Sequence, residues 1–124
     1  MDKLTSIRGA ITVKENSIKE IKKATCLLIS EMFKQNKLDE SSLLNIIFTV
    51  TPDLDAINPA TVAREEYKLI STAMLCVQEM KVKNGLPRCI RILIQAYTSL
   101  TKDKAKHIYL GEAEKLRPDL SFEI

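Results

Sequence analysis

The chain has 124 residues, of which 45% are hydrophobic and 28% charged, the profile of one globular domain spanning residues 1–124. A chain of this size buries roughly two thirds of its unfolded surface, so a stable core is feasible but a deep cavity within one subunit is not, and a sizeable pocket is expected between subunits. Nineteen Lys and Arg against sixteen Asp and Glu leave a net charge of only +3, evenly mixed along the chain, which excludes a general basic surface for nucleic acid.

The inventory excludes further classes. The single histidine, His107, rules out a multi-His metal centre, and three glycines provide no glycine-rich phosphate loop. Cys26, Cys76 and Cys89 are odd in number and lack any CxxC pattern, so neither a disulfide framework nor a zinc site is expected and a reducing, cytoplasmic setting fits best. The opening MDKLTSIRGA has no apolar signal core, and no apolar run approaches the ~18 residues of a membrane span. Neither export nor membrane insertion is expected.

From Lys3 to Val13 the residues alternate, with Ile7, Ile11 and Val13 on one face and Ser6, Arg8, Ala10 and Thr12 on the other, as in a half-buried strand. Ser17 and Glu20 form a capping box, and Ile18, Ile21, Ala24, Leu28 and Met32 then recur at helical spacing to about Phe33. A helical turn at Asp39–Ser42 precedes a buried strand over Leu43–Val50, ended by Thr51-Pro52-Asp53. Asn58 followed by Pro59 is an N-cap and first-turn proline, predicting a short helix through Arg64 to about Tyr67. Strands follow at Ser71–Val77 and, after the turn chemistry of Lys83–Pro87, at Cys89–Thr98, with a short one at His107–Leu110 before the tail. The fold class expected is α/β with α+β character: one mixed sheet with a long helix on one face.

Arg91 is the informative residue. It shares a face with Cys89 and Leu93 while Ile90, Ile92 and Ile94 fill the other, and both faces read as buried. A guanidinium there cannot lose its charge and needs an anion; the structural alternative is a salt bridge to Glu65, Glu66 or Asp53. Lysine occurs fourteen times but arginine only five, at positions 8, 64, 88, 91 and 117. The planar arginine fork binds carboxylate through two parallel hydrogen bonds, so several arginines converging on one place would suit a small polycarboxylate. Taken singly, Arg8 reads equally as a surface charge, Arg64 as an ordinary helix residue and Tyr109 as a core or rim aromatic. Glu79, after the strand Met74-Leu75-Cys76-Val77, is either a solvated edge residue or a placed charge. Alternation puts it opposite Cys76 unless the strand breaks near Val77, and such a break is expected. Cys76 and Cys89 read as small core residues, since no histidine lies nearby in sequence to activate them.

Taken in order, Ile7-Arg8-Gly9-Ala10-Ile11-Thr12-Val13, Thr51-Pro52-Asp53-Leu54, Pro59-Ala60 before Arg64, Gln78-Glu79-Met80, Leu86-Pro87-Arg88-Cys89-Ile90-Arg91, His107-Ile108-Tyr109-Leu110 and Leu116-Arg117-Pro118-Asp119-Leu120 resemble the monofunctional chorismate mutases of the trimeric α/β type. The resemblance implies a pseudo-barrel homotrimer with a site between adjacent subunits, acting on chorismate to give prephenate in aromatic amino-acid biosynthesis, with no cofactor and no metal. By that resemblance Arg91 contacts the ether oxygen and a carboxylate, Arg8 helps hold a carboxylate, and Glu79 faces the ring. The Leu75-Cys76-Val77-Gln78 segment lines the substrate, with the backbone and side chain of Cys76 on the ring hydroxyl. Tyr109 steadies the side-chain carboxylate, and Arg64 and Arg117 stand at the mouth. Asn58 replaces an aromatic usual at the rim, and Thr61 replaces a lysine found in some relatives, which bears on pocket closure. The rival readings are a trimeric enamine or imine deaminase, whose signature does not match, and a non-catalytic binder of carboxylate metabolites.

Overall fold

The computed structural model describes residues 2–117. Its elements are β1 (Lys3–Thr12), α1 (Ile18–Asn36), a 3-10 turn (Glu40–Ser42), β2 (Leu43–Val50), α2 (Pro59–Tyr67), β3 (Ala73–Gln78), β4 (Cys89–Thr98), β5 (Ile108–Leu110) and a second 3-10 turn (Gly111–Lys115). One five-stranded sheet has the order β3-β2-β4-β1-β5. Strand β4 pairs antiparallel with both β1 and β2, while β3 on β2 and β5 on β1 are parallel. The expected mixed sheet with a helix layer is therefore found. Pro118, Asp119 and Leu120, named in the sequence for the resemblance, lie outside the described residues. Among the described residues, no helix is long and apolar enough to cross a membrane.

Local chemistry sets the boundaries. The Ser17 hydroxyl accepts the Glu20 amide at 3.1 Å and starts α1, which runs three residues beyond the Phe33 limit expected from its apolar stripe. The extension is held by buried Asn36, whose side chain bonds the carbonyls of Met32 and Lys106 at 3.0 and 2.9 Å and accepts the Lys106 amide at 2.8 Å. Lys37, in the left-handed region, then closes the helix. Asn58 caps α2 by accepting the Ala60 amide at 2.8 Å, and Pro59 occupies the first turn.

Helix α1 covers the face carrying Ile7, Ile11, Ile46, Phe48, Ile90, Ile92, Ile94 and Ile108, and its own Ile21, Leu28, Ile29 and Met32 complete the main core. Gly9 lets the layers close: a Cβ there would collide with the Met32 sulfur. Among the described residues, the second sheet face carries no α-helix, and only Ala113 of the second 3-10 turn packs at one end of it. Along it, register aligns Leu75, Ile47, Leu93 and Arg8 in one row and Val77, Thr49, Arg91, Ala10 and Tyr109 in the next.

Candidate active site

The uncovered face holds an open cleft of about 480 Å³, lined among others by Arg8, Thr49, Glu79, Arg91, Leu93 and Tyr109. Strand register explains the grouping. Arg91 lies between Ala10 of β1 and Thr49 of β2, and Tyr109 pairs with Ala10 from the other side. Glu79 reaches the same place by alternation with Leu75 and Val77, its amide donating to the Val50 carbonyl at 2.8 Å. The expected break near Val77 does not occur, because pairing with β2 holds through Gln78.

The burial expectation for Arg91 is corrected. Its side chain is 46% exposed in this chain, since helices cover only one side of β4. Alternation told the two faces apart but did not tell whether the second had cover. Two of the three expected structural partners are otherwise engaged: Glu66 pairs with Lys22 at 2.7 Å, and Asp53 accepts the Arg88 amide at 2.9–3.1 Å. Arg91 Nε instead lies 3.2 Å from Glu79 Oε1. The other Glu79 oxygen accepts the Thr49 hydroxyl at 2.9 Å. The anion meeting Arg91 is thus another cleft residue, and the two opposite charges stand side by side, aligned by a hydroxyl that sequence reading missed. Only register reveals Thr49, which reads as one more residue of a buried strand.

Tyr109 is 4% exposed, its ring packed with Ala10, Cys89 and Ala113 in a small second core beneath the cleft. Burial pushes the Cys89 thiol up to about 11, outweighing the opposing pull of Arg91. That sulfur stays protonated at neutral pH, as a core residue's would. His107 accepts the Arg8 amide at Nδ1, 3.0 Å away, and burial, then the charges of Arg8 and Arg117, hold its pKa below the usual imidazole value.

Four of the expected residues, Arg8, Glu79, Arg91 and Tyr109, therefore converge on the cleft. Leu75 and Val77 share its face beyond the lining, exposed at 60% and 42%. The Cys76 side chain packs against the main core, on the face of β3 opposite Leu75 and Val77, so within one chain it points away from the cleft. Gln78 follows Cys76 by alternation. Arg64 is exposed on α2, which packs on α1 and β3, and Arg117 lies near His107; neither lines the cleft of its own chain.

A sequence model of the family described as chorismate mutase type I matches residues 4–120. The chain is 35% identical over 118 residues to a Bacillus subtilis protein named chorismate mutase AroH, covering 95% of this chain and 93% of that one. A Thermus thermophilus protein of the same name is 41% identical over 115 residues, covering 92% and 93%. The fold matches a solved chorismate mutase from Clostridium thermocellum with a TM-score of 0.85 at 43% identity, over 89% of this chain and 97% of the other. With a family match across almost its whole length and relatives well above 30% identity, this chain belongs to the chorismate mutase type I family.

Proposed function

We propose that the chain is a chorismate mutase, an isomerase converting chorismate to prephenate, with Arg91 and Glu79 as its catalytic residues. The observation that carries the reading is this guanidinium and carboxylate, 3.2 Å apart in one open cleft together with Arg8 and Tyr109. In the rearrangement one C–O bond breaks as one C–C bond forms within a single molecule, so no proton transfer, nucleophile or metal is needed. As the C–O bond lengthens, negative charge gathers on the ether oxygen and positive charge on the ring. A fixed cation on one side and a fixed anion on the other favour that transition state over the substrate.

A half-exposed ion pair contributes at most about 1 kcal/mol net, so Arg91 exchanges its Glu79 contact for an incoming carboxylate and ether oxygen at little cost. Arg8 binds a carboxylate beside it, and Tyr109, its ring immobilised by the small core, steadies the side-chain carboxylate. Together these select the folded conformer that brings the reacting carbons close. The Leu75–Gln78 backbone borders the ring hydroxyl.

The working form of this reading is a homotrimer. Leu4, Leu75, Val77 and Tyr97 lie exposed on the uncovered sheet face, an apolar surface that further copies of the chain would bury. Arg64 and Arg117, which do not line the cleft of their own chain, then complete a neighbour's site at its mouth. The three free cysteines fit a reducing cytoplasmic setting. Incubation with chorismate, followed by detection of prephenate and run beside a sizing measurement, tests both halves. Prephenate formation by a species three times the chain mass is expected. Binding without turnover would overturn the enzyme reading, and a fully active monomer would overturn the shared site.

A further inference from the structure

His107 is absorbed by no step of the rearrangement, yet its ring is engaged. Strand β5 pairs with β1 only from Gly9 and Ile108 onward. Extending that parallel register by one rung would set the Lys106 carbonyl opposite the Arg8 amide, but that carbonyl accepts from Asn36 Nδ2 at 2.9 Å. The Arg8 amide donates instead to His107 Nδ1 at 3.0 Å. An imidazole thus stands in for a main-chain acceptor at the one rung where the backbone of a cleft arginine would otherwise lose its partner.

We propose that His107 is a positioning residue for Arg8, holding the arginine's backbone through a neutral imidazole whose proton sits on Nε2. The proposal rests on the reading of Arg8 as a substrate-carboxylate ligand. The charged groups facing the ring are Arg8 on β1 and Arg117 beyond the second 3-10 turn, and both oppose a positive imidazole, as does burial. The ring therefore stays an acceptor at neutral pH. Through this bond the register of β1 against β5 is set at Arg8, two residues before Ala10 and Tyr109 come level.

Asparagine places its Oδ1 where Nδ1 stands, so His107→Asn keeps the acceptor and His107→Ala removes it. With chorismate as substrate at pH 7.5, His107→Ala is expected to raise KM about three- to tenfold, the scale of one neutral hydrogen bond, with kcat within about twofold and His107→Asn close to the parent. Unchanged KM in the alanine variant, or an asparagine variant no better than alanine, would overturn the proposal. A second readout needs neither turnover nor a folded alanine variant. In an NMR titration of the parent protein, the imidazole is expected to be the Nε2–H tautomer, titrating below 6.5, with the Arg8 amide shift following the same midpoint. An Nδ1–H tautomer, or an Arg8 amide blind to the imidazole, would overturn it. Absence of chorismate turnover in the parent would count against the assigned reaction and leave this NMR result standing.

Discussion

The two faces of the sheet are built from the same strands and teach opposite lessons. Under α1 the face is apolar and fully covered, with Phe48, Ile46, Ile90, Ile94 and Ile108 at 0% exposure. One residue along each strand, the other face presents Arg8, Thr49 and Arg91, flanked by exposed Leu75 and Val77. The covered face holds the chain together, and the open one carries its chemistry and the surface proposed for assembly. Because strand alternation separates them completely, substitutions on one are expected to leave the property of the other intact.

That separation can be broken in several ways. Phe48→Ala, deep under α1, is expected to cost about 3–5 kcal/mol in urea unfolding, while the fraction that remains folded keeps its parental kcat. A large activity loss without loss of stability would merge the two faces. On the open face, Glu79→Gln keeps a hydrogen-bond acceptor for Thr49 but removes the charge. It should lower kcat about a hundredfold with little change in the melting midpoint, as measured by steady-state kinetics and thermal unfolding. Thr49→Val preserves shape but frees one Glu79 oxygen, for an expected loss in kcat of up to about tenfold that Thr49→Ser restores. If serine fails to restore it, the hydroxyl does not align the carboxylate.

The smallest effect is on pH dependence. His107 has a folded pKa below its unfolded value of 6.5, so the unfolded chain takes up its proton first. The stability tied to neutral His107 is complete above 6.5 and is lost as pH falls through 6.5 toward the lowered folded value. Unfolding midpoints for the parent should drop more between pH 7.5 and 5 than those for His107→Asn; equal drops would remove the histidine from this balance.

Much of this was legible in the residues. The caps at Ser17 and Asn58, the β-branched run of β2 and the alternation of β1 and β4 each place an element with little help from tertiary structure. The helix end at Asn36 was not, because it depends on a side chain reaching Lys106, 70 positions away. The site divided along the same line. Arg91 stands out in the sequence as a charge in an apolar strand, but its pairing acid, Glu79, depends on which strand lies beside β2, which alternation alone does not give. The parallel pairing of β2 with β3 also decides the orientation of Cys76, since it carries the alternation unbroken past Val77. Arg8 and Tyr109 gain meaning only from the β1–β5 register, which sets them two rungs apart on the same sheet face.

The proposed chemistry turns on the guanidinium at position 91, and the kcat of Arg91→Ala with chorismate tests it most directly. A fall of at least about 10²–10³-fold, with unfolding midpoint and assembly size unchanged, is the predicted result. Turnover within a few-fold of the parent would contradict it.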